Sequence, residues 1–435
     1  MRKVVLGIIL IALSILTFFS NYFLNGNSVP AEPVVFDSGD TAWMIVATAL
    51  VLLMTPGLGF FYGGMVGKKN VISTMLQSYM AMIIVTILWV VVAFSMSFGT
   101  SIGGYIGDPT EFFMFQGVGA TTAWGTIPFL LFALFQAKFA IITPALITGA
   151  FAERIRFWAY MLFMVLFILV IYTPLCHMTW HADGLFFKMG VLDFAGGTVV
   201  HMSAGWAALA GAMFLGKRKV QKVNPARITY VLLGTGLLWF GWFGFNAGSA
   251  LGANSLAVQA LGTTTVAAAA AGMAWVFIDK ILGHKLSAMG ACIGTVVGLV
   301  AITPAAGFVS IPHAIFIGIF SSVVSNYMVS LFHKGGKIDD SLDVFACHGV
   351  GGMTGMLLTG VFASKSINPA VTDQGLIFGE TTLFVTQLTA LIMVSAFAFI
   401  GSYALFFIVN KITPLRVTED KEELGLDISQ HGEYL

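Results

Sequence analysis

The chain has 435 residues and a formal net charge of +1; 58% of the residues are hydrophobic and only 9% are charged. A soluble domain carries roughly 25% charged residues, so this composition, with a mean hydropathy of +0.91, excludes a soluble domain of any size and indicates a polytopic, all-α membrane protein. The near-zero net charge gives no basis for a nucleic-acid partner.

Arg2 and Lys3 open the chain and are followed by an apolar run from Val4 to about Leu24. Residues 1–31 read either as a signal peptide, with Val29-Pro30-Ala31 as its small-residue cleavage site, or as an uncleaved first span. Both readings start Arg2 and Lys3 in the cytoplasm and deliver Glu32, Asp37 and Asp40 outside. Eleven apolar stretches of spanning length follow, which together define a membrane domain over 38–412. Their expected limits are 41–66, 71–98, 126–151, 157–179, 196–216, 226–250, 256–280, 287–304, 311–332, 343–363 and 381–411. The eighth carries the weakest signal, because Gly and Ala dilute its hydropathy. When the loops are assigned alternately from an outside start, sixteen Lys and Arg fall inside and only Lys188 and Lys365 outside. This positive-inside bias orients the main body with its N-terminus out and its C-terminus in the cytoplasm, as a multi-pass protein of the plasma (inner) membrane. Cys176, Cys292 and Cys347 lie in separate apolar segments without CxxC spacing, so buried free thiols are expected and no metal site is indicated.

Two motifs recur. Ile142-Thr-Pro-Ala145 in the third span returns as Ile302-Thr-Pro-Ala305 in the eighth, and Asp193 precedes His201 by the same eight positions that separate Asp340 from His348. Both pairs are five spans apart. An odd number of spans per repeat forces the halves into opposite orientations, so two inverted five-helix repeats (about 41–216 and 226–363) and a last helix (381–411) are expected, with a path between the halves near the midplane.

That symmetry brings His201 and His348 together. A neutral imidazole donates from one nitrogen and accepts at the other, so an adjacent pair in a dry pore can hydrogen-bond a small polar molecule or pass a proton without a fixed charge. The bland alternative is a pair of core histidines joining helices. Haem is not expected, since each helix offers one histidine only. Asp193 and Asp340 stand near helix starts, where a carboxylate caps orphan N–H groups. Asp193 falls on the outer side by inversion, and there it also gains a role in attracting a cation. Phe135 and Phe139 share one face of the third span, and Trp242, Phe245 and Ser249 share one face of the sixth. Trp180 closes the fourth span at the outer boundary. Tryptophan faces attract cations, so Trp180 and Trp242 are counted with Phe135 and Ser249 as candidate binding residues; core packing is the competing explanation. Lys138 is the only basic residue well inside a span, about 100° around the helix from Phe139 and so directed away from the pore.

The strings Phe135-Gln-Ala-Lys-Phe139, Gly149-Ala-Phe-Ala-Glu-Arg154, Asp193 to His201, Gly241-Trp-Phe-Gly-Phe-Asn-Ala-Gly-Ser249, Asp343-Val-Phe-Ala-Cys-His-Gly349 and Gly425-Leu-Asp427 with His431-Gly-Glu433 together resemble the bacterial-type ammonium transporter (Amt) family of the Amt/Rhesus superfamily. The resemblance runs from about residue 38 to the C-terminus. It implies a homotrimer with one ammonium/ammonia pore per subunit and no cofactor. It implies an outer site of Trp180, Phe135 and Ser249, a gate of Phe139 and Phe245, paired pore histidines His201 and His348, and Asp193 as the carboxylate needed for uptake. Methylammonium is implied as a second substrate. The tail, 413–435, is implied to order beneath the pores, where a PII-type signal protein docks on similar transporters. An ammonium sensor and a passive Rhesus-like gas channel are the competing functions. The short tail argues against the first, Trp180 against the second, and no nucleophile constellation supports an enzyme.

Overall fold

The computed structural model describes residues 2–23, 35–219 and 224–435. The question of cleavage after residue 31 falls at residues outside the described set. The first helix, α1, is Arg2–Phe23. Ten helices long and apolar enough to cross a membrane follow among the described residues: α2 (Ser38–Met65), α3 (Lys68–Phe98), α4 (Phe129–Phe151), α5 (Phe157–Lys188), α6 (Gly197–Leu215), α7 (Ile228–Ala250), α8 (Ser255–Ile281), α10 (Ile311–Gly335), α11 (Phe345–Phe362) and α12 (Thr382–Ile412). Between α8 and α10, the expected span 287–304 is α9, Ala288–Ile302, only 15 residues long. The count of full-length spans is therefore ten where eleven were expected. Thr303 still has α geometry (φ −52, ψ −49), and the chain turns away from the helix after it, where the Pro304 carbonyl accepts from the Phe194 N–H at 3.1 Å.

Helix starts follow capping chemistry. Asp37 accepts from the Asp40 N–H at 2.8 Å, Asn254 from Ala257 N–H at 3.0 Å, and Ser310 from His313 N–H with Pro312 in the first turn. The three cysteines are buried free thiols. Between α3 and α4 lie two short hairpins, Ser101–Ile102 with Ile106–Gly107 and Ala123–Trp124 with Ile127–Pro128. The second carries Trp124 onto α4, where it stacks on Phe132 at 4.3 Å.

α6 and α11 are built alike. Each opens on a π-helical turn, Gly197–Met202 or Phe345–Gly349, and continues as 13 residues of α-helix. Each histidine sits in its π turn, a widened geometry frequent at functional sites. Four residues after each histidine is a glycine that meets the other helix: Gly205 lies on the backbone of Gly349, and Gly352 lies on Gly197 and His201. Absence of a Cβ at these positions is what lets the two helices cross closely enough for the imidazoles to meet.

The tail is packed against the body. Asp427 accepts from the Ser73 N–H at 2.7 Å and the Ile72 N–H at 3.1 Å. Gln430 accepts from Phe157 N–H at 2.9 Å, and His431 packs edge-on against the Phe157 ring at 4.8 Å.

Candidate functional site

One cavity of about 160 Å³ is a cup lined by Phe98, Trp124, Phe132, Gln136, Phe139, Trp180, Phe194, Ser249 and Leu251. Its aromatic walls present ring faces and edges, and its polar groups are few. The Ser249 hydroxyl donates to the Phe245 carbonyl at 2.8 Å, which leaves the hydroxyl oxygen free to accept from a guest. Trp180 is fixed by donating its indole N–H to the Asp193 carbonyl at 3.1 Å and meets Phe139 edge-on at 5.8 Å.

Phe139 is also the floor of the cup, with its ring centroid 4.3 Å from that of Phe245. Both rings are buried. Beyond Phe245 lies His201, with ring centroids 5.9 Å apart, and then His348, whose Nδ1 is 3.4 Å from the Nδ1 of His201. Only one of two facing Nδ1 atoms can carry the shared hydrogen, so one ring donates and the other accepts. The Nε2 of His201 is buried and has no hydrogen-bond partner among the described residues. The sequence of groups is therefore aromatic cup, stacked phenyls, paired imidazoles.

Two residues expected in the outer site sit elsewhere. Trp242 stacks on His201 at 5.3 Å and donates to Thr303 Oγ1 at 2.9 Å. It shares a helix face with Ser249 but lies seven residues, about 10 Å, further along the axis, so it supports the histidine and does not line the cup. Phe135 is 1% exposed and packs edge-on behind Phe139 at 5.0 Å. Trp124, Phe132 and Gln136 line the cup without having been expected there. Gln136 stood inside the Phe135–Phe139 string, whereas Trp124 had no local signal. Lys138 is half-buried and is not part of the cup lining.

The two aspartates differ in what they hold. Asp193 accepts from the N–H groups of Gly196 (2.8 Å), Gly197 (2.6 Å) and Thr198 (2.7 Å) and from the Thr198 hydroxyl (2.5 Å). Both of its oxygens are saturated by the start of α6. Asp340 accepts with Oδ2 from Phe345 N–H at 2.7 Å, while its Oδ1 is buried without a partner among the described residues. Burial, and then the neighbouring Asp343 charge, push the Asp340 carboxyl up to about 7.

Asp340 lines a second cavity, about 440 Å³, at the opposite end of the path from the cup, together with Asp339, Asp343, His333, Lys217 and Arg218. Arg218 bridges Glu153 at 2.8 Å and Asp339 at 2.9 Å. Burial alone raises the Asp339 carboxyl, but the hydrogen bonds and charge of Arg218 outweigh it and hold the group below its ordinary value. Asp343 pairs with His333 at 2.9 Å.

A profile of the Ammonium Transporter Family matches residues 42–434. An ammonium transporter of Bacillus subtilis is 45% identical over 400 residues, covering 91% of this chain and 98% of its own. Among solved structures, Mep2 of Saccharomyces cerevisiae superposes with a TM-score of 0.84 at 38% identity, covering 92% of this chain and 91% of that one. A sensor Amt protein superposes with a TM-score of 0.81 at 29% identity, over 90% of this chain and 98% of that one.

Proposed function

The chain belongs to the Ammonium Transporter Family, and on that premise we propose that it carries ammonium into the cell by separating ammonia from a proton at the phenyl gate. The observation that carries this reading is the order of groups along one line: a neutral aromatic cup, the Phe139–Phe245 stack at 4.3 Å, and the His201–His348 pair at 3.4 Å. Ammonium is held in the cup by cation–π attraction to Trp180 and Phe139, worth about 2 kcal/mol when desolvated, and by donation to Ser249. No anionic side chain with a free oxygen lines the cup among the described residues, so nothing there compensates a cation that passes the gate intact. Ammonia crosses and hydrogen-bonds along the imidazoles, and the proton passes separately with their help. Potassium cannot shed a proton, and a dry aromatic constriction does not replace its hydration shell.

The architecture proposed for this work is two inverted five-helix repeats, with α9 as the eighth member despite its length, and α12 as the last helix. The body is oriented N-terminus out in the plasma membrane, as a homotrimer, with the tail beneath the pore as the docking face for a PII-type signal protein. Asp193 supports α6 and the indole of Trp180. The test is a solid-supported-membrane current measurement on reconstituted protein with ammonium, methylammonium and potassium. Ammonium and, more weakly, methylammonium give current and potassium gives none; His201→Ala and His348→Ala abolish the selective current. Full selective current in both variants sinks the histidine role. The likeness to a sensor Amt protein favours one second reading, an ammonium sensor, for which the same assay shows binding with little current.

A further inference from the structure

We infer that the inner cavity is itself an ammonium site, in which Asp340 and Asp343 hold the cation that forms as ammonia leaves the histidines. The inference rests on the transport reading for its ligand, but its geometry stands apart from the cup. Asp340 is 6% exposed, lines the cavity, and keeps Oδ1 buried with no partner among the described residues. A carboxylate oxygen accepts readily from a donor such as N–H⁺, and leaving one buried and unpaired is costly. Asp343 is 8% exposed, lines the same cavity and acts electrostatically on Asp340.

The local charges leave room for one cation. The carboxylates are Glu153, Asp339, Asp340 and Asp343; the permanent cations are Lys217, Arg218 and Arg154. Arg218 is committed to Glu153 and Asp339. Arg154 donates to Ser341 Oγ and to the carbonyls of Ala150, Ala152 and Asp339. His333, largely exposed at the rim, is the remaining titratable group and reaches Asp343 only. One negative charge is thus uncompensated while Asp340 is ionised and His333 is neutral, and it is shared by Asp340 and Asp343, which line the cavity. A tetrahedral ion with four N–H donors fits two carboxylates better than a spherical one, because each oxygen accepts a directed bond.

The site is read by infrared difference spectroscopy on the full-length protein in nanodiscs, exchanging sodium chloride for ammonium chloride and following the aspartate carboxylate bands. A saturable ammonium-minus-sodium difference is expected in the wild type and in Trp180→Ala, where the outer cup is disabled. Asp340→Asn, whose carbonyl still accepts from the Phe345 N–H, removes it. Asp343→Asn does not touch that cap and places asparagine, which tolerates the left-handed region, at φ 57; it raises the half-saturating ammonium concentration about tenfold. An absent difference in the wild type, or one unchanged in both aspartate variants, overturns the inference. A wild type with the carboxylate difference but no ammonium current supports this site and overturns the transport reading.

Discussion

Gly205 and Gly352 occupy matching positions, four residues after each histidine, yet replacing them with alanine has unequal consequences. A Cβ on Gly205 would fall well inside 3.0 Å of the N and Cα of Gly349, backbone atoms in the π turn that carries His348. A Cβ on Gly352 would meet the Gly197 carbonyl oxygen, His201 Cβ and Met202 Cγ, each at 3.2 Å, a tight contact that small shifts relieve. Backbone cannot rotate aside as a side chain can, so Gly205→Ala forces α6 and α11 apart by roughly 1 Å in a close-packed interior. Overpacking of this kind costs about 3 kcal/mol, whereas at Gly352 the strain is offset by alanine's helix propensity, about 1 kcal/mol in its favour. The same separation stretches the His201–His348 contact from 3.4 Å, already at the limit of a hydrogen bond, to beyond it. Gly205→Ala is therefore expected to lower the unfolding temperature of the purified protein by about 5 °C or more and to reduce ammonium current more than tenfold, while Gly352→Ala stays near the wild type in both. Equal behaviour of the two variants would refute the argument that the helix crossing sets the histidine distance.

Other outcomes follow from the charged groups. Asp193→Ala leaves three buried N–H groups at the start of α6 without an acceptor, each worth about 1–3 kcal/mol, so thermal stability and current fall together; loss of current at unchanged stability would show a direct role in cation capture. Arg218→Ala strands Glu153 and Asp339, with side chains 5% and 14% exposed, and is expected to cost about 3–5 kcal/mol in denaturation experiments, with Arg218→Lys recovering only part because an ammonium cannot span both partners. Asp339 titrates below its ordinary value of 3.8, so the stability it contributes is present above about that pH and is lost as pH falls through the lower, folded value; Arg218→Ala flattens this acid limb of a thermal-unfolding pH series. Because Asp340 is protonated below about 7, ammonium binding at the inner cavity weakens as pH falls through that value, with His333 charging in the same direction, and Asp340→Asn removes the aspartate part of the dependence.

The histidine pair was legible because the Asp-to-His spacing of eight recurs five spans later, and the structure brings His201 and His348 to one place. The apolar runs likewise gave the limits of most spans to within a few residues. Helical periodicity placed Trp242, Phe245 and Ser249 on one face but is blind to depth, and two turns of rise separate the binding level from the histidine level. Trp124 reaches the cup through a hairpin turn and a stack on Phe132, a tertiary relation that no local pattern carries. The repeated Ile-Thr-Pro-Ala shows the limit of a motif. In α4 the helix runs on through Pro144, whose carbonyl accepts from the Tyr160 hydroxyl at 2.7 Å. At Pro304 the carbonyl accepts from Phe194 N–H at 3.1 Å, Thr303 Oγ1 takes the Trp242 indole, and α9 stops short. The same four residues continue or end a helix according to what meets their freed backbone groups.

The two aspartates extend that reasoning to direction. As mates under the repeat they have the same spacing to a histidine, and both cap the helix that carries it. The Asp193 carboxylate meets four donors, and its charge is taken up in holding α6, while its uncharged backbone carbonyl holds the indole of Trp180. Asp340 is held less fully: its Oδ2 accepts from the Phe345 N–H at 2.7 Å, and its Oδ1 has no partner among the described residues. On the transport mechanism proposed above, the cup is left to attract ammonium with quadrupoles and a hydroxyl, which bind weakly and let the proton go, while the inner cavity keeps a carboxylate to accept from the ion once it re-forms. An asymmetry of this kind favours release of ammonia from the cup over retention of ammonium there. It arises from donor count at two equivalent positions, so removing a donor by Thr198→Val, which leaves Oδ2 of Asp193 with the backbone N–H of residue 198 alone, is expected to make the cup hold ammonium more tightly while passing it more slowly.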